Sequence, residues 1–150
     1  MEPEDRMNRS KWTWKNVDLP AGTVEQLSLD FEKGVLEETL VRVDWERADN
    51  REIELLAQLG DLYSRLGKLH QGLEVDKTLV RIRPDEPIFL YNLACSYSRL
   101  GDIEPAFVAL EAAVRRGYQN FDHLRKDHDL DNLKKDARFH KLLEQFDSTL

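Results

Sequence analysis

His123, Asp127, His128, Asp129 and Asp131 fall within nine residues, and these side chains most invite a metal-ion reading of the chain. The spacing argues against it. An EF-hand loop counted from Asp127 needs glycine at its sixth position and glutamate at its twelfth, where this chain has Asn132 and Arg138. A zinc-binding helix needs two histidines four residues apart, whereas His123 and His128 are five apart. The segment is read as a solvated acidic connection, with no metal expected. Cys95 is the single cysteine, which excludes an internal disulfide and a cysteine-based zinc cluster. As a nucleophile it would need a base beside it, but the positions three and four away hold Tyr91, Asn92, Ser98 and Arg99. Cys95 is read as a small residue on a helix face. The glycines are isolated, so no phosphate-cradling loop exists. No cofactor is expected, and the chain is not read as an enzyme.

The elements that position these residues are helices. Of 150 residues, 41% are hydrophobic and 34% charged, with only 7 glycines and 5 prolines, a composition suited to long regular elements with a real core. The formal charge of −7 disfavours binding to nucleic acid or to an anionic membrane surface. The first residues lack the apolar stretch of a secretory leader, and no run approaches the ~20 apolar residues that span a bilayer. A cytoplasmic protein is expected.

Tyr63-Ser64-Arg65-Leu66-Gly67 recurs as Tyr97-Ser98-Arg99-Leu100-Gly101, 34 residues later. The agreement extends to Leu56 and Leu90, Leu59 and Leu93, Val80 and Val114, and Arg81 and Arg115. Leu56, Leu59, Tyr63 and Leu66 step by three or four, as do Leu90, Leu93, Tyr97 and Leu100, which places each set on one helix face. Gly60 and Ala94 are small where a second helix must come close. Gly67 and Gly101 mark the turns, and second helices are predicted over about Leu69–Arg83 and Ile103–Arg116. Asp102 suits an N-cap and Gly117 a stop, while Pro84 ends one unit and Pro87 opens the next helix.

This layout resembles the tetratricopeptide (TPR) family, whose pattern sets a large apolar residue, Leu-Gly, Tyr, Ala, an aromatic, Ala and Pro at fixed offsets. Those positions here are Leu56, Leu59-Gly60, Tyr63, Gly72, Asp76, Leu79 and Pro84, then Leu90, Leu93-Ala94, Tyr97, Ala106, Leu110, Ala113 and Tyr118. Asp76 departs from the pattern by standing at the aromatic position. The tail, from Gly117-Tyr118 through Asp129-Leu130-Asp131 to Leu142-Leu143, resembles a bacterial ending of TPR arrays of the form DPDLDPLRxDPRFxxLL, with His128 and Ala137 at proline positions. It is read as a cap over the apolar end of the array, its last helix starting from Asp136. Upstream, Gly34, Leu36 and Leu40 precede Gly67, Leu69 and Leu73 by 33 residues, and Thr23-Val24-Glu25-Gln26 reads as a capping box. The expected organisation is an N-terminal extension over 1–18, a degenerate helical hairpin over 19–52, TPR units over 53–86 and 87–120, and capping helices over 121–150. The fold class is all-α, a TPR-like superhelix of antiparallel helical hairpins.

The resemblance implies a protein–protein interaction module, an adaptor or scaffold that offers a concave groove to a peptide or helix of a partner. In phase with the family, the groove residues are Gln58, Asp61 and Arg65 from the first unit and Tyr91, Asn92, Cys95 and Arg99 from the second. Asn92 stands where many peptide-binding members hold an asparagine that hydrogen-bonds the ligand backbone. Arg65 and Arg99, one period apart, could make a paired donor set for a carboxylate, or could serve as helix C-terminal charges. Ala57 and Asp61 replace the residues of the family's carboxylate clamp, which argues against a receptor for acidic C-termini. The charge favours a basic or amphipathic protein partner. Trp12 and Trp14 either tuck onto the body or are exposed for a partner. A small acidic chaperone and a structural homo-oligomer are the alternatives.

Overall fold

The computed structural model describes residues 20–147, an all-α chain with no strand among them. Trp12 and Trp14 lie outside the described residues. The helices are α1 (Thr23–Leu40), α2 (Asn50–Arg65), α3 (Leu69–Ile82), α4 (Pro87–Arg99), α5 (Ile103–Arg115), α6 (Phe121–Lys126), α7 (Asp131–Lys134) and α8 (Ala137–Phe146). Each of α1 to α4 packs on the next, and α7 and α8 close the end over α5.

Local chemistry sets the boundaries. A capping box starts α2: Asp49 Oδ1 accepts from the Glu52 amide at 2.8 Å, and the Asp49 amide donates to Glu52 Oε2 at 2.9 Å. Pro87 occupies the first turn of α4, and the Asp136 carboxylate caps α8 by accepting from the Arg138 amide. Asp102 holds the N-cap position of α5, although its side chain makes no capping bond. Gly67, Gly101 and Gly117 all take positive φ at helix ends, and the following residue donates back to the carbonyl five positions earlier, as in Lys68 to Tyr63. This exit favours glycine because a Cβ is disfavoured in left-handed backbone.

The region before α2 differs from the hairpin expected there. The helix runs straight through Gly34, with no turn, and Gly22 rather than Thr23 holds its N-cap position. Leu29, Leu36 and Leu40 pack along α2 on both sides of Gly34, and this burial outweighs the ~1 kcal/mol that a glycine costs a helix. Tyr63 adds a hydrogen bond from its hydroxyl to Glu37 at 2.6 Å. The opposite face of α1 leaves Leu27, Phe31 and Val35 exposed.

Two apolar clusters follow one another along the chain. The first joins Leu36 and Leu40 to Ile53, Leu56, Leu59, Leu62, Val75 and Leu79. The second joins α4 and α5 to Leu124, Leu130 and Leu133, which are fully buried. Each such leucine contributes about 1.5–3 kcal/mol, so the C-terminal segment is integral core. Asp127, expected to be solvated, is drawn inward with it. Gly60 meets the close approach expected of it: a Cβ there would lie 2.9 Å from Val75 Cγ1.

Candidate functional site

α2 and α4, the first helices of successive units, both line one concavity, and the packing of the C-terminal segment on α4 closes its far side. The result is a cavity of about 550 Å³. Ala57, Gly60, Asp61 and Ser64 come from α2, Asp76 and Leu79 from α3, and Ile88, Tyr91, Asn92, Cys95, Ser96 and Arg99 from α4. Tyr118, Asn120, His123, Asp127 and Asp129 complete the wall.

Of the residues expected in the groove, Asp61, Tyr91, Asn92, Cys95 and Arg99 line this cavity. Gln58 and Arg65 do not; together with Asp61 they line a separate recess against Glu32 of α1. Arg65, one helical turn after Asp61, lies 3.9 Å from its carboxylate. Arg99 is half-buried. Its guanidinium donates to Ser64 Oγ at 2.5 Å and lies 3.6 Å from Asp129. The two arginines therefore answer different partners and do not form one anion-binding pair.

Tyr91 and Cys95 line the cavity as buried side chains, with little surface left to a ligand. The Tyr91 ring stacks on Tyr118 with centroids 4.2 Å apart and an interplanar angle of 3°. Its hydroxyl donates to Asp127 Oδ2 at 2.6 Å. Burial, then the neighbouring Cys95 and the bond to Asp127, raise the Tyr91 pKa well above the usual phenol range, so the hydroxyl stays a donor. Asp127 also accepts from the Asp129 amide through Oδ1, and His123 Nε2 lies 3.3 Å from Oδ2. Asn132 Nδ2 donates to the Ser98 carbonyl at 2.7 Å, further fastening the segment to α4.

Cys95 Sγ, Asp127 and Asp129 offer ligand atoms within 4.8 Å of one another. The Asp127 oxygens each accept one hydrogen bond, from the Tyr91 hydroxyl and from the Asp129 amide, and Asp129 also lies 3.6 Å from Arg99. Burial first, and then the carboxylates of Asp127 and Asp129, push the Cys95 thiol pKa up. The thiol is thereby kept protonated and poorly nucleophilic.

The cavity is acidic. Asp61, Asp76, Asp127 and Asp129 face Arg99 and His123 across it. Asp76 is the deepest of these carboxylates, 8% exposed, and Oδ2 accepts from Ser96 Oγ at 2.5 Å. Burial pushes its pKa up to about 6, with the Ser96 bond acting in the opposite sense. Burial also raises the pKa of Asp129, with Asp127 adding to it and Arg99 opposing it. The groove reading of the sequence did not include Asp76, Ser96, Tyr118, His123, Asp127 or Asp129. For Asp76 a signal existed: a carboxylate stands where the repeat pattern has an aromatic residue.

Residues 88–116 match the tetratricopeptide repeat family model. Over 90 residues the chain is 36% identical to a chloroplastic protein of Arabidopsis thaliana; the match covers 58% of this chain and 27% of that protein. No solved structure matches. Among the described residues no helix is long and apolar enough to cross a membrane. The matched residues, together with the 34-residue period and the hairpins α2/α3 and α4/α5, identify a tetratricopeptide repeat set within an all-α, TPR-like fold.

Proposed function

We propose that this chain is a peptide-binding adaptor whose ligand, a segment of a partner protein, lies in the concavity lined by α2 and α4. A tetratricopeptide repeat supports a protein–protein interaction module in general terms. The observation that carries the narrower reading is the cavity itself. It is lined by the first helices of two successive units, and it presents exposed Ile88 and Asn92 on its α4 wall. Ile88 offers apolar contact, and the Asn92 amide can donate to and accept from a ligand backbone. The cavity's excess of carboxylates favours a partner segment of positive charge.

The double variant Ile88→Glu/Asn92→Ala tests this without touching a buried residue. Immobilised wild-type protein is exposed to a pool of random twelve-residue peptides at pH 7.5, and the retained peptides are sequenced. Retention of a defined sequence class by the wild type, and its loss in the variant with helicity unchanged by circular dichroism, is expected. Equal retention by both proteins would move the site off this concavity.

A further inference from the structure

Asp76 is a buried carboxylate that faces a cavity and lacks a cation. Its Oδ2 accepts from Ser96, and among the described residues no lysine, arginine or histidine pairs with it. Arg99 lines the same cavity but is committed to Ser64 and Asp129. The equivalent position one repeat later is Leu110, which is fully buried. An apolar side chain thus suits this position, and a carboxylate there is costly, because a buried charge without a counter-ion loses hydration and gains little in return.

We propose that the cavity receives a lysine or arginine side chain from the partner polypeptide, and that Asp76 is its buried counter-ion. This rests on the groove reading above and names the chemistry the groove selects. The surroundings fit a long basic side chain. Ala57 and Ile88 supply apolar surface for an aliphatic stem, while the charged head would reach Asp76. The other titratable or charged groups facing the cavity are Asp61 from α2, Tyr91, Cys95 and Arg99 from α4, and Tyr118, His123, Asp127 and Asp129 from the C-terminal part. Asp127 is occupied by Tyr91, and Asp129 is paired with Arg99. Asp61, largely exposed, lies 3.9 Å from Arg65, and Asp76 is therefore the buried carboxylate left for a cation.

The test extends the peptide selection to Asp76→Asn, which keeps the side-chain shape and an acceptor for Ser96. The expected result is a pool on wild-type protein with lysine or arginine fixed at one position. A peptide chosen from it should bind Asp76→Asn at least about thirtyfold more weakly, the scale of removing one partner of a buried charge pair. Replacing the fixed basic residue by norleucine should weaken binding to wild type comparably, with no further loss on Asp76→Asn. Selected peptides without a fixed basic position, or with equal affinity for Asp76→Asn, would overturn the inference and leave the groove reading standing. Retention of no peptide beyond that of Ile88→Glu/Asn92→Ala would remove the groove reading and this inference together. If Asp76→Asn fails to fold by circular dichroism, Asp76→Leu, which copies the leucine at the equivalent position of the next repeat, replaces it in the same comparison with the same outcomes.

Discussion

The Tyr91 hydroxyl donates to the Asp127 carboxylate across 2.6 Å, joining residues 36 positions apart in the chain. This bond ties α4 to the segment between α6 and α7, and it converts a terminal cap into one wall of the concave cavity.

Tyr91→Phe should keep the stack on Tyr118 and lose only this hydrogen bond. A bond to a charged acceptor of this kind contributes about 1.5–3 kcal/mol, so urea unfolding should show a loss of that order. Because Asp127 would also lose a restraint, amide hydrogen exchange over residues 127–134 should quicken, while α1 is unchanged. An unaltered unfolding midpoint would show that the segment is held by its buried leucines alone.

Asp76→Asn should stabilise the free protein, and the gain should depend on pH. The folded pKa of Asp76 is raised from 3.8 to about 6, so the folded state prefers the protonated acid. Its contribution is most favourable below the unfolded value and is lost as pH rises through about 6. A shift of about two units corresponds to at most roughly 3 kcal/mol. Urea midpoints for the two proteins should therefore coincide below about pH 4, draw apart between about pH 4 and 6, and keep their full separation above pH 6, with the asparagine variant higher. A separation that grows toward low pH would contradict the assignment.

Gly60→Leu should be severely destabilising for a geometric reason. The first added atom already falls 2.9 Å from Val75 Cγ1, in the crossing of α2 and α3. Val75 is β-branched and cannot swing aside freely, and overpacking a tight contact costs about 1–3 kcal/mol or more. Thermal unfolding by circular dichroism would show a lowered midpoint; an unchanged one would mean that the helices can separate at this crossing without cost.

Much of the framework was legible in the chain because it is written in local periodicity. The Leu/Tyr stripes, the glycine exits and Pro87 each act within a few residues, and they foretold α2 to α5 closely. The turn expected at Gly34 was not found, since a glycine weakens a helix locally while packing of Leu29, Leu36 and Leu40 on α2 preserves it. Tyr91 was placed in the groove by repeat phase, yet it is buried because Tyr118 and Asp127 cover it, and no periodic rule carries that contact.

By itself the sequence determined the repeat, its period, the all-α class and the acidic balance, since these depend on residue type and short-range spacing. Only the tertiary structure decided which polar groups share a cavity. Asp76, Ser96, Arg99 and Asp127 are brought together by helix crossings and by the return of the C-terminal segment onto α4. Burial, counter-ions and pKa values depend on such long-range neighbours. It is therefore the fold that sets Asp76, a visible irregularity in the repeat, as a buried carboxylate facing the cavity.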